Sequence, residues 1–113
     1  MSNADYYFKT DDEPTIERTL PGDLEESGAS VVFNMKPVVA RGVSTISGGS
    51  VTVESGAYDG DEDETDVSFD FSTGELSDSG EYLAEFEATY ADGEVRSYPE
   101  GRYLFIKVNE DLN

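Results

Sequence analysis

The stretch that decides the fold is Gly80 to Val108, GEYLAEFEATYADGEVRSYPEGRYLFIKV. Tyr82, Ala84, Phe86, Ala88 and Tyr90 alternate with Leu83, Glu85, Glu87 and Thr89, and a period of two marks a strand that buries one face. Ala91-Asp92-Gly93 supplies a tight turn, because glycine takes a positive φ without a Cβ clash. Val95 and Tyr98 bring the chain back as a short strand. Pro99-Glu100-Gly101 breaks the pairing, and Tyr103 to Val108 reads as a final strand.

Working outward, the same period recurs upstream. Asp5 to Lys9 is a short aromatic run, so residues 1–9 read as an edge strand or an N-terminal arm. Its Tyr6, Tyr7 and Phe8 are candidate interface residues, since aromatics are favoured in the cores of protein interfaces; the solvent-facing side of the last hairpin is the other candidate. Pro14 to Leu20 alternates, with Ile16 and Leu20 expected inside. Pro21 to Ser30 is a Gly- and acid-rich loop from which Leu24 plugs the core. Val31 to Lys36 places Val31, Phe33 and Met35 inward. Val38 to Ser47 is a weaker strand, Gly48-Gly49 a turn, and Ser50 to Glu54 a strand again. Residues 55–66 form an acidic loop, Val67, Phe69 and Phe71 mark another strand, and Ser72 to Ser79 is turn-rich. No segment carries a helical period over the ten or so residues a helix needs. Short strands joined by Gly, Pro, Ser and Asp turns define an all-β chain: one domain over residues 1–113, an antiparallel β-sandwich of about 7–9 strands. Its expected core framework is Phe33, Met35, Phe69, Phe71, Tyr82, Phe86, Ile106 and Val108.

Charge narrows the partners. The chain carries 26 acidic and 7 basic residues, a net −19. Binding to nucleic-acid phosphates needs clustered Lys and Arg, and so does binding to an anionic membrane surface; both are excluded as expectations. High net charge also favours disorder, but 7 Tyr, 6 Phe and clear alternation argue for a packed core. Abundant carboxylates beside only Lys9, Lys36 and Lys107 resemble proteins of salt-in haloarchaea. In molar salt the Debye length falls to about 3 Å, which screens the self-repulsion of such a surface.

Chemistry is sparse. Without cysteine there is no disulfide or thiolate metal site, and without histidine the usual general base and commonest metal ligand are missing. Serines have no base to activate them, and the paired carboxylates show no apolar setting that would raise one pKa. The expectation is a non-enzymatic protein with no cofactor beyond loosely held cations. The weak candidate for a specific cation is Asp59, Asp61, Asp63 and Asp66, whose first members have calcium-loop spacing. The match then fails, because Glu64 stands where the loop needs glycine. No apolar run approaches the roughly 20 residues of a membrane span, and no signal peptide is visible, so synthesis in a host cytoplasm is expected.

The order of these pieces resembles the small immunoglobulin-like domain of tailed-virus structural proteins, in particular the N-terminal domain of the phage baseplate upper protein. The matching residues are Asp12-Glu13-Pro14-Thr15-Ile16 with Leu20, then Leu24 and Ser27-Gly28-Ala29-Ser30-Val31-Val32-Phe33-Asn34-Met35. The terminal block matches at Gly80, Tyr82, Ala84-Glu85-Phe86, Tyr90, Asp92-Gly93, Pro99, Gly101, Tyr103, Ile106 and Val108. The resemblance implies an immunoglobulin-like β-sandwich in a virion, an assembly or attachment module in the tail, baseplate or neck of a halophilic archaeal virus. Its implied partners are other virion structural proteins and further copies of itself in a symmetric assembly. A capsid decoration protein is the alternative within that class. A host cell-surface or glycan-binding β-sandwich is the alternative from another class, and a calcium-dependent regulatory module a weaker fourth reading.

The charge reading has a direct test. Thermal unfolding between about 0.1 and 3 M KCl should show the midpoint rising steeply with salt; a midpoint that ignores salt would remove the halophilic reading.

Overall fold

The structure, a computed structural model, describes residues 4–22, 24, 28–38, 45–55 and 64–112. Nine strands account for the regular structure of these residues: β1 (Tyr6–Lys9), β2 (Thr15–Pro21), β3 (Ser30–Pro37), β4 (Ile46–Ser50), β5 (Thr52–Ser55), β6 (Glu64–Asp70), β7 (Gly80–Thr89), β8 (Val95–Tyr98) and β9 (Leu104–Asn109). They form two sheets. The larger runs β1-β9-β7-β3-β4 with β8 also paired to β7, and the smaller runs β2-β6-β5. Every pairing is antiparallel except β1 with β9. This is the immunoglobulin order: the second, fifth and sixth strands make one sheet, and the third, seventh and last make the core of the other.

The period-two reading holds along the long strand β7. Tyr82, Ala84, Phe86 and Ala88 are buried, while Glu81, Leu83, Glu85 and Glu87 face out. One edge of β7 serves two partners. Gly80 to Ala84 pair with β9, and Phe86 to Thr89 pair with β8, so the Pro99-Gly101 break lets two strands share one edge. The hairpin turns on Gly93, whose φ is +91° and whose N–H bonds the Tyr90 carbonyl at 2.9 Å. Tyr82 is fully buried, and its hydroxyl donates to the Asp78 carbonyl at 2.8 Å. That is the tyrosine corner of immunoglobulin-like domains.

Aromatic rings join the sheets. Phe33 of β3 stacks on Phe69 of β6 at 4.3 Å between centroids, and Phe86 and Phe71 meet Phe33 edge-on at 5.3 and 5.7 Å. Met35, Ile106 and Val108 complete the expected framework, each at most 2% exposed. Where antibody domains use a disulfide between sheets, this cysteine-free chain uses the Phe33–Phe69 stack. Ring pairs of this geometry add about 0.5–1.5 kcal/mol beyond area burial.

Three sequence expectations are corrected. Gly48-Gly49 is not a turn between strands: both residues lie within β4, with Gly49 paired to Phe33. The reason is space, because a Cβ on Gly49 would lie 2.6 Å from Phe69 Cε1 and 3.2 Å from the Phe33 carbonyl oxygen. Ser50 to Glu54 is not one strand either. The chain leaves the larger sheet at Ser50 and enters the smaller at Thr52, with Val51 between. The acidic loop ends earlier than residue 66, since β6 begins at Glu64 and pairs it with Pro21. Thr65 explains that start: fully buried, it donates to the Gly22 carbonyl at 2.6 Å and accepts from the Leu24 N–H at 2.8 Å. Those bonds fix Leu24, 1% exposed, as the expected core plug. Of the weaker strand expected at Val38 to Ser47, residues 39–44 lie outside the described residues.

Gly49→Ala should therefore destabilise the fold by about 1–3 kcal/mol, the usual range for overpacking. Denaturant unfolding in high salt measures it. A change under about 0.5 kcal/mol would mean that the Phe69 ring moves freely.

Candidate interaction face

The outer sides of the two sheets differ in chemistry. On the smaller sheet the outward positions are Thr15, Glu17 and Thr19 of β2, Thr52 and Glu54 of β5, and Glu64, Asp66, Ser68 and Asp70 of β6. No basic residue stands among them. On the larger sheet the outward positions include Lys9, Lys36 and Lys107, which are all the lysines of the chain. Tyr7, Phe105, Leu83 and Val32 lie between them on the same face, with Tyr103 beside β9.

Strand register sets the pattern. Tyr7 pairs with Lys107, which pairs with Glu81; Phe105 pairs with Leu83, which pairs with Lys36. Lysines of three strands thus stand beside apolar side chains on a face that four strands build, with Glu81 next to Lys107. Tyr7 is 57% and Tyr103 48% exposed, and Lys36 Nζ lies 5.9 Å from the centre of the Tyr103 ring. A shallow depression of about 450 Å³ opens here, lined by Asn34, Lys36, Leu83, Glu85 and Tyr103. Asn34 organises its floor, donating to Glu85 Oε2 at 3.1 Å and accepting from the Gly48 N–H at 2.8 Å.

One ion pair pins the edge of this face. The Arg102 guanidinium reaches Asp5 at 3.1 Å, and Asp5 also accepts the Phe105 N–H at 2.7 Å. The Asp5 carboxyl is held below its ordinary value, chiefly by the Arg102 hydrogen bond, while its partial burial opposes the shift. The bonds tie the chain just before β1 to the start of β9.

The sequence-predicted interface residues divide. Tyr6 and Phe8 are half-buried against the core of their own domain, with Phe8 edge-on to Phe71 at 5.9 Å. Only Tyr7 of the three points outward, so residues 6–9 are an edge strand and not a free arm. Asp59, Asp61 and Asp63 of the weak calcium candidate lie outside the described residues. Asp66 sits in β6, 1% exposed, accepting a hydrogen bond from the Thr19 hydroxyl at 2.8 Å. Among the described residues no three carboxylates are gathered as a metal site.

Leu83 and Phe105 lie on the solvent-facing side of the last hairpin, an expected interface, while Lys36 was not singled out as an interface residue. Each sits at an outward position of a strand that was read correctly, and the signal was the alternation itself. What no single strand carries is the cross-strand pairing that gathers them. No protein-family model matches the chain, and no curated protein matches its sequence.

The Asp5 contact predicts a pH signature. With its folded pKa depressed, Asp5 contributes stability above its unfolded value of about 3.9, and the contribution is lost as pH falls through the lower folded value. Asp5→Asn should cost about 0.5–1 kcal/mol at neutral pH, and the difference from the parent should shrink below about pH 4. Unfolding curves from pH 7 to 2.5 check both; a difference that does not change with pH would place the effect elsewhere.

Proposed function

We propose that this chain is a non-enzymatic structural protein of a tailed virus with a halophilic archaeal host. In this reading it is an assembly or attachment module in the tail, baseplate or neck, made in the host cytoplasm and carried in the virion. The observation that carries the proposal is the one-sided surface. An acidic sandwich gathers all its lysines and, among the described residues, its exposed tyrosines Tyr7 and Tyr103 on one sheet face.

Physics favours that face as the contact. In molar salt, long-range charge attraction is screened and apolar burial dominates association. Elsewhere a partner would have to desolvate carboxylates with no cation among them, which costs several kcal/mol per charge. The larger sheet's outer face offers apolar area with cations among the acids. The resemblance of the Gly80–Val108 block to the baseplate upper protein domain supplies the setting, and the immunoglobulin-like sandwich suits it. Partners are other virion proteins and further copies of the chain, where symmetry multiplies modest contacts.

Mass spectrometry of purified particles tests the setting, and the protein should appear at a fixed ratio to the major virion proteins. The double variant Leu83→Glu/Tyr103→Asp should keep its fold, with a melting point within about 5 °C of the parent, yet fall off the particles. Absence of the parent protein from particles would overturn the reading.

A further inference from the structure

The other side of the molecule carries a second feature, independent of the face above. β2 is an edge strand, paired only with β6. Phe71 donates its N–H to the Pro14 carbonyl at 2.9 Å, and the register runs unbroken from there. In an antiparallel ladder the hydrogen-bonded pairs alternate. Ile16, Arg18 and Leu20 therefore bond β6, and the backbone groups of Thr15, Glu17 and Thr19 point outward. Among the described residues nothing pairs with them. This seven-residue strand is the longest open edge among the described residues.

Arg18 has the parity of the buried Ile16 and Leu20, so its side chain turns toward the gap between the sheets. It is half-buried and makes no hydrogen bond or ion pair with any described residue. Beside it a cleft of about 220 Å³ opens between β2 and the β8 end of the larger sheet, lined by Arg18, Leu20, Phe86, Tyr98, Pro99 and Glu100. Asp5, the carboxylate whose pKa Arg18 helps to lower, is already bonded to Arg102. Tyr98 gives Arg18 no charge to pair with. Its hydroxyl bonds Tyr90 at 3.0 Å, and burial, with that bond, pushes its pKa up to about 12. Glu100 lies exposed on the rim with no ion pair to Arg18.

A half-buried arginine with no hydrogen-bonded carboxylate among the described residues, beside a row of backbone groups that no described residue pairs, is an incomplete arrangement. We propose that β2 accepts an extended segment of a different protein, which adds an antiparallel strand and places an Asp or Glu side chain in the cleft against Arg18. Recognition is then by backbone addition with one side-chain pocket. A second copy offering its own β2 does not fit. Symmetric pairing centred on Glu17 or Arg18 sets like charges directly opposite, which is destabilising, and pairing centred on Ile16 or Thr19 sets Arg18 opposite Pro14 or Leu20 and brings it no carboxylate. An inward-pointing charge also guards an edge strand from indiscriminate pairing. Here it makes the edge selective: strands without a carboxylate at that position are rejected. On the outward side Glu17 favours a basic or threonine residue in the partner.

The test uses the full chain, isotope-labelled, in high salt, with a synthetic peptide Thr-Val-Lys-Asp-Lys-Val-Thr as probe. In the free protein the amides of Glu17 and Thr19 should exchange fast, and those of Ile16, Arg18 and Leu20 slowly. The peptide should protect Glu17 and Thr19 and shift the resonances of Arg18 and Tyr98. Replacing the peptide Asp with Asn, or making Arg18→Gln, should weaken binding at least tenfold. Glu17→Pro removes one outward N–H that β6 does not use, and should abolish binding while the protein still folds. The control Arg96→Gln should bind as the parent does. Any of four results would overturn the proposal: protected Glu17 and Thr19 amides in the dilute free protein; protection that grows with protein concentration alone; equal binding of the Asn peptide; or no shift with millimolar peptide.

Discussion

The Phe33–Phe69 stack is the contact on which the rest of the sandwich depends. It spans the two sheets with no disulfide to hold them, and its ring distance of 4.3 Å sets how closely they approach. That approach leaves no room above Phe69 for a side chain, so the strand passing over it presents Gly49. The β3–β4 register shifts between Phe33 and Met35, next to the point where Asn34 bonds the Gly48 amide. Packing at one ring pair thus dictates a glycine, a register shift and the floor of the depression on the opposite side of the sheet.

A small acidic domain must bury a core with few lysines to balance its surface. This chain separates the problem by face. The smaller sheet shows Thr and carboxylates outward, which suits hydration in strong salt. The larger sheet collects the lysines among apolar side chains. The asymmetry is built by alternation alone, since each lysine occupies an outward position of a strand whose neighbours turn inward: Lys9 beside half-buried Phe8, Lys36 beside buried Met35, Lys107 beside buried Ile106 and Val108.

Much of the fold was legible because period-two patterning is local. β7, β8 and β9 were readable from Gly80–Val108 alone, and the inward set of β3 from Val31, Phe33 and Met35. What escaped depends on distant contacts. Gly48-Gly49 has the composition of a turn, and only the facing Phe69 ring explains why it lies in a strand. Leu76, fully buried, sits in a stretch whose Ser, Thr and Gly content spells turns; it packs inward while its carbonyl accepts the Asp11 N–H at 2.9 Å. Thr65 reads as part of an acidic run, and its role appears only when Gly22 and Leu24 come within hydrogen-bonding distance. At the candidate face Tyr7 was named from sequence. Of its neighbours only the outward side of the last hairpin was named, because their grouping is assembled by the register of four strands.

The division of the β7 edge between β8 and β9 makes part of the molecule adjustable. β9 takes its alignment from Gly80 to Ala84, and β8 takes its own from Phe86 to Thr89. The hairpin through Asp92 and Gly93 therefore does not set the frame of the final strand. Residues added there in matched pairs lengthen the hairpin and leave the packing of Ile106 and Val108 between the sheets untouched. A change in the length of that hairpin is thus decoupled from the core.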